Sequence, residues 1–198
     1  MSVKRVFDLL FSLFLLVALS PFLLIIILLV KLGSKGPVFF RQERVGKDSI
    51  IFFIYKFRTM YIGSASKGLL TIGDKDPRIT STGNFLRKYK LDELAQLINV
   101  LNGSMSFVGP RPEVPKYVNL YSEEQKKVLL VKPGITDPAS IHYSNENNLL
   151  SKATDPEQEY IEYIMPAKLA LNLNYILEQS FISDLKILFK TILKIISH

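Results

Sequence analysis

The 198-residue sequence contains no cysteine. Disulfides, thiolate metal sites and a cysteine nucleophile are thereby excluded, and a reducing compartment is permitted without being required. Any covalent chemistry must use another nucleophile. Histidine is scarce: the sequence has 2, His142 and His198, and neither has partners at metal-ligand spacing, so both read as ordinary surface or packing residues. Zinc-finger spacing is missing, and aromatics do not alternate with basic residues on any clear platform, so no nucleic acid is expected as partner. The formal charge of +7 instead suits anionic lipid or a phosphorylated small molecule. Finally, a second long apolar run is lacking.

The one such run, Leu9 to Val30, contains no charged residue, and only Ser12, Ser20 and Pro21 interrupt it. As an unbroken helix it would be roughly 33 Å long, enough for a hydrocarbon core of about 30 Å. A cleaved signal peptide fits poorly, because the apolar run continues well past Pro21. Lys4 and Arg5 precede the run, whereas Lys31, Lys35, Arg41 and Arg44 follow it, and basic flanks favour the cytoplasmic side. Both ends therefore ask for the same side. Pro21 opens the helical ladder at the carbonyl of Val17, and the Ser20 hydroxyl can reach back one turn to satisfy it. A re-entrant helix-break-helix over residues 1–31 is the expectation, with a proline-kinked span as the alternative. Residues 32–198 would then lie together on one side of the membrane, the cytoplasmic side that the basic flanks favour.

Beyond Leu32, Val38 to Gln42 and Ile50 to Arg58 read as extended runs around a polar turn at Gly46 to Ser49. Alternation places Lys56 and Arg58 on one strand face, suited either to phosphate or simply to solvent. Tyr61 to Arg78 reads as a loop long enough for function or mobility. In "TSTGNFLRKYKLDELAQLINVLNG", Ser81 or Thr82 can cap a helix that runs to Gly103. Asp92 and Glu93 fall in its middle, about 100° apart around the axis, which suits two different tasks; a Lys88–Asp92 surface pair is the plainer reading. Arg111 stands between Pro110 and Pro112 in "MSFVGPRPEVP". An arginine so restrained loses little entropy on gripping an anion, and its planar fork matches phosphate oxygens.

Taken as a block, "DPRITSTGNFLRKYKLDELAQLINVLNGSMSFVGPRPE" closely resembles the core signature of the bacterial sugar transferases, the monotopic polyprenyl-phosphate phosphoglycosyl transferases. The resemblance extends to the Ser20-Pro21 segment, "KFRTM" and "KPGIT", and weakens after about Asp137. The short length is similar to that of minimal members that start glycan assembly, among them the enzyme of bacterial N-linked protein glycosylation that uses a UDP-linked diacetylbacillosamine. The resemblance implies that Asp92 attacks the sugar-bearing phosphate of a UDP-sugar, expelling UMP, and that the phosphosugar then passes to polyprenyl (undecaprenyl) phosphate. It associates Glu93 with Mg²⁺. Carboxylate attack on a neutralised phosphate is consistent chemistry. Lys56, Arg58, Arg87 and Arg111 are the expected cations around the diphosphate, with Glu113 as a further acidic candidate. The chain departs from the family pattern at Ala95, where proline is common, at Ser104, where an acid is common, and at Asp137-Pro138-Ala139.

The expected fold is α/β and mainly helical, with a minor sheet. In the C-terminal third, Tyr160 to Leu177 reads helical with a bend or break at Pro166. The tail sets Ile182, Leu185, Leu188, Ile192 and Ile195 on one side and Lys186, Lys190 and Lys194 on another. That pattern describes a basic amphipathic helix, lying either on anionic lipid or over the soluble core. A non-enzymatic membrane-surface binder would share the anchor and tail, but has no need of the Asp-Glu pair.

Overall fold

The computed structural model describes residues 2–64, 70 and 76–196. The apolar run folds as two helices, α1 (Val3–Ala18) and α2 (Ser20–Gly33), bent by 66°. Pro21 lies in the first turn of α2, where its missing N–H removes no helical bond. Ser20 Oγ donates to the carbonyl of Val17 at 2.7 Å, the partner expected for the opened ladder. Among the described residues no single helix is long and apolar enough to cross a membrane, whereas this bent pair is by length and composition. On α1 the polar Asp8 and Ser12 are buried while Leu10, Phe14 and Val17 are exposed, the reverse of a water-facing helix. An apolar groove of about 590 Å³, lined by Val3, Val6, Phe7, Leu10, Phe11, Phe14 and Phe181, opens along this face.

Both outer ends of the helix pair are fastened to the rest of the chain. Arg5 donates to the carbonyls of Val100 and Leu101 at 2.6 and 3.0 Å, and Lys4 donates to Val108 O at 2.8 Å and pairs with Asp184. At the other end Ile26 and Val30 pack with Phe57, Leu86 and Ala95. The helix pair, read from sequence as a separate element, thus shares its apolar clusters with residues beyond 32. Alanine at position 95 suits this contact, being small enough to let the helices approach.

Strands β1 (Phe39–Val45) and β2 (Ile51–Phe57) form an antiparallel hairpin, with Asp48 and Ser49 at positive φ in its turn. The register sets Phe40 against Lys56, Gln42 against Ile54 and Arg44 against Phe52, so Gln42, Arg44 and Lys56 share a face. Asn99 extends the edge of β2 as a strand would, accepting from Tyr55 N at 2.9 Å and donating to Phe53 O at 2.8 Å.

The single helix expected up to Gly103 is broken. Helix α3 (Ser81–Lys88) is capped by Thr80, whose Oγ1 accepts from Gly83 N at 2.9 Å; the cap is one residue earlier than expected. Lys90 adopts a left-handed conformation, φ 56°, and a 3₁₀ turn (Leu91–Gln96) follows, leading into α4 (Leu97–Asn102). Gly103, φ 87°, ends the segment, as its freedom at positive φ predicts. The break is why the i, i+4 pairing of Lys88 with Asp92 does not form: Lys88 lies over the Tyr89 ring instead.

Two short strands, β3 (Ser106–Val108) and β4 (Gly134–Thr136), pair in parallel. A Cβ at Gly134 would lie 2.2 Å from Gly109 N, so glycine permits the crossing that brings "KPGIT" beside "FVGPRP". Helices α5 (Pro115–Val118), α6 (Pro138–His142), α7 (Glu146–Leu150) and α8 (Pro156–Glu159) lead to a π-helical turn (Tyr160–Ile164) and α9 (Met165–Leu177). Pro166 falls in the first turn of α9, where proline is tolerated, directly after the π-helical turn, so the segment expected as one helix changes type beside the proline. Helix α10 (Phe181–Ile196) leaves Ile182, Phe189, Ile192 and Ile196 exposed. The expected long loop includes residues 65–69 and 71–75, which lie outside the described residues, as does His198.

Candidate active site

The broken helix decides the geometry of the acidic pair. With Lys90 left-handed, Leu91 starts a tight turn that directs Glu93 towards β2 and the "GPRP" segment. Glu93 Oε1 accepts from Lys56 Nζ at 2.9 Å and from Arg111 Nη2, while its Oε2 lies 3.3 Å from Arg111 Nη1. Burial alone would raise the Glu93 carboxyl, but Arg111 and Lys56 overcome it and hold it well below the usual carboxylate range. Reciprocally, Glu93 raises Arg111 above its ordinary value, whereas burial lowers Lys56 despite Glu93.

Asp92 is in a different state. It is buried, and among the described residues no cation closes an ion pair on it. Burial raises its carboxyl above the ordinary value, opposed chiefly by the field of Lys56 and more weakly by those of Arg87 and Lys90. Two adjacent carboxylates therefore occupy unlike environments: one is saturated by cations, the other is buried near them and uncommitted.

Three of the four expected phosphate-binding cations meet the acidic pair: Lys56 and Arg111 bind Glu93, and Lys56 and Arg87, the latter at the last turn of α3, act on Asp92 through their fields. Arg58 is not one of them. Its guanidinium donates to the carbonyls of Ser34 at 2.7 Å, Lys35 at 2.9 Å and Val30 at 3.3 Å. Arg58 lies just beyond β2, at the closing end of α2, and caps that helix instead of facing the site. Glu113 is likewise engaged elsewhere, accepting from Arg44 Nη1 at 2.9 Å, Val114 N at 2.8 Å and Tyr160 OH at 2.5 Å.

Arg44 is a second cation that sequence reasoning misplaces. Counted among the charges flanking the apolar run, it projects from the same hairpin face as Lys56 and donates to Pro112 O at 3.0 Å. Burial lowers it, with Glu113 opposing and Arg111 reinforcing. The alternation of Gln42 and Arg44 against Lys56 identifies it once the hairpin register is known. Asp137 also escapes sequence reasoning: fully buried, it caps α6 by accepting from Ser140 N at 3.0 Å, and its charge acts on Arg111. Ser104, where the resemblance led to an acid being expected, accepts from Asn99 Nδ2 at 3.2 Å in the turn after α4.

Among the described residues no group of three or more His, Cys, Asp or Glu side chains is gathered to hold a metal ion. The Glu93 carboxylate is engaged by Lys56 and Arg111, so an ion held there through one or two carboxylates and the substrate phosphates would have to compete with those two cations.

The chain's relatives agree with a site built around phosphate. The sequence model of the family described as bacterial sugar transferase matches residues 1–198, and the chain belongs to that family. It is 41% identical over 196 residues, 99% of this chain and 88% of the relative, to the uncharacterized sugar transferase EpsL of Bacillus subtilis (strain 168). It is 40% identical over 195 residues to the UDP-glucose:undecaprenyl-phosphate glucose-1-phosphate transferase of Escherichia coli (strain K12), covering 96% of this chain and 39% of that protein. The UDP-N-acetylgalactosamine-undecaprenyl-phosphate N-acetylgalactosaminephosphotransferase of Aeromonas hydrophila is 36% identical over 198 residues, 98% of this chain and 44% of the relative. The chain thus spans less than half the length of the latter two. Their names carry glucose and N-acetylgalactosamine, and diacetylbacillosamine in neither case.

Proposed function

We propose that this chain is a phosphoglycosyl transferase that moves a sugar 1-phosphate from a UDP-sugar to undecaprenyl or another polyprenyl phosphate, with Asp92 as covalent nucleophile. The observation that carries the reading is the contrast between the neighbouring carboxylates. Glu93 neutralises and orders Lys56 and Arg111, while Asp92, buried next to Glu93 in the field of Lys56, forms no ion pair among the described residues. Cations held in a partly dry site attract the donor diphosphate strongly and need little reorganisation to do so.

The chemistry balances in two displacements. An Asp92 carboxylate oxygen bonds to the sugar-bearing phosphorus as the bond from that phosphorus to the bridging oxygen breaks, and UMP departs with the bond's electron pair. A phosphate oxygen of the polyprenyl phosphate then attacks the same phosphorus, the aspartyl oxygen–phosphorus bond breaks, and Asp92 returns as carboxylate with release of a polyprenyl diphosphate sugar. Lys56, Arg111 and Arg87 stabilise phosphate charge through these steps. Mg²⁺ is retained as the cofactor to be tested by chelation, and none of these steps depends on a ligand set for it.

The acceptor reading follows from the helix pair. Its outward face is apolar and both outer ends are anchored on the same body, Arg5 at one end and Arg58 at the other. This arrangement supports the reading in which the pair enters and leaves one leaflet face, with the site at headgroup depth on the cytoplasmic face of the inner membrane. Helix α10 covers the core through Ile187 and Leu188, and its exposed Ile182, Phe189, Ile192 and Ile196 support lipid contact on the other side.

Incubation with a panel of UDP-sugars and polyprenyl phosphate tests the reading. UMP release, and an intact-mass increase equal to one phosphosugar that maps to Asp92, are expected with the cognate donor and are lost in Asp92→Asn. Release of UDP, or undiminished turnover by Asp92→Asn, would overturn it.

A further inference from the structure

We propose that Tyr160 is a positioning residue for the donor site: acting through Glu113 and Arg44, its hydroxyl sets the register of the Pro110–Pro112 segment and so the aim of Arg111. The inference rests on the transferase reading of the site. Arg111 lies outside any helix or strand, so its aim depends on what holds the chain beside it. Arg44 Nη1 donates to Pro112 O at 3.0 Å, and Val45 N donates to Glu113 O at 2.9 Å, so strand β1 grips the two residues after Arg111.

That grip is itself buttressed from the far end of the sequence. Glu113 Oε1 accepts from Arg44 Nη1 and Val114 N, and its Oε2 accepts from Tyr160 OH at 2.5 Å. Tyr160 is buried at the start of the π-helical turn, its ring centre 5.0 Å from that of Tyr117 and 5.5 Å from Lys168 Nζ. π-Turns inside helices are uncommon and recur at functional sites. A tyrosine serving only to fill the core would be served as well by phenylalanine. Here the hydroxyl completes the coordination of a half-buried carboxylate, and that carboxylate orients the arginine that holds Pro112. Without the hydroxyl, Glu113 and Arg44 gain freedom to turn, and the backbone beside Arg111 loses a fixed support.

Tyr160→Phe keeps the ring and removes only the donor. Full-length protein in nanodiscs, assayed with its cognate UDP-sugar, should lose about tenfold in kcat/KM for the donor, while KM for polyprenyl phosphate is unchanged. In an Arg111→Lys background the same change should cost less than about twofold, because the fork that Tyr160 aims is already gone. Wild-type kinetics in Tyr160→Phe, or effects that multiply independently across the cycle, would overturn the proposal. Glu113→Gln, which keeps the shape of the side chain, is the second variant should Tyr160→Phe fold poorly, and must show the same non-additivity with Arg111→Lys. If the wild-type protein released no UMP, the transferase reading would fail on its own. UDP affinity measured by calorimetry would then carry the comparison, equal affinity in wild type and Tyr160→Phe being the overturning result.

Discussion

Arg58 Nη2 donates to the carbonyl of Ser34 at 2.7 Å. Two residues earlier Lys56 meets Glu93, so one short stretch of chain ties the apolar helix pair to the acidic pair. The placement of the helix pair and the geometry of the site are thereby mechanically linked.

Arg58→Ala should therefore act on stability first. It strips donors from the carbonyls of Val30, Ser34 and Lys35, and loss of several buried, charge-assisted bonds costs about 2–4 kcal/mol. Thermal unfolding in detergent micelles should shift down by roughly 5–10 °C. Arg58→Lys should recover only part of this, since an ammonium lacks the planar fork. An unchanged midpoint in Arg58→Ala would refute the capping role.

Glu93→Gln should leave Lys56 and Arg111 facing one another without their counter-ion. Removing one partner of a largely buried cluster costs about 2–4 kcal/mol. The sign of the pH dependence is fixed by the depressed Glu93 value: its stabilisation is complete above the ordinary glutamate range and is lost as pH falls through the lower folded-state value. Unfolding midpoints should thus fall less steeply with acid in Glu93→Gln than in wild type. Parallel curves would contradict the ion-pair account.

The pH–rate profile should be bell-shaped. Asp92 must be ionised to attack, and its value is raised, so kcat/KM should fall on the acid side with a midpoint above the ordinary aspartate value of about 3.9. Lys56 must be charged, and its value is lowered, so the alkaline limb should lie below the ordinary lysine value of about 10.4. Lys56→Arg should move the alkaline limb upward and leave the acid limb in place. Rate measurements over both limbs decide this.

Because the sequence has no cysteine, single cysteines at Ser2 and Lys35 offer clean topology probes. An impermeant label should block both from the cytoplasmic side and neither from the other. Reaction from opposite sides would mean that the helix pair spans the membrane. In Pro21→Leu, which closes the ladder at Val17, at least part of the population should adopt that spanning arrangement.

Chelation with EDTA should reduce turnover if Mg²⁺ serves as cofactor. Full activity after exhaustive chelation would remove it from the proposal.

Much of the molecule is legible in its amino-acid sequence. The apolar run with its Ser20-Pro21 break, the hairpin, the glycine stop at position 103 and the joint presence of Asp92, Glu93 and Arg111 follow from local rules: hydropathy, period, backbone freedom and the spacing of charge. Strand alternation also puts Lys56 on the hairpin face that it occupies, because alternation requires no distant partner. Arg58 escapes the same rule: it lies just past the strand end, where alternation no longer governs direction, and the open carbonyls of α2 claim it.

Only the tertiary structure decided the states of the two carboxylates. Their sequence neighbours are nearly the same, yet Lys56 from β2 and Arg111 from the "GPRP" segment converge on Glu93 and leave Asp92 without an ion pair among the described residues. The parallel pairing of β3 with β4, and the reach of Tyr160 to Glu113 across 47 positions, are likewise invisible to periodicity. Local pattern fixes which way a side chain points within its own element. Which charges meet, and therefore which acid is left free to react, depends on how separate elements pack.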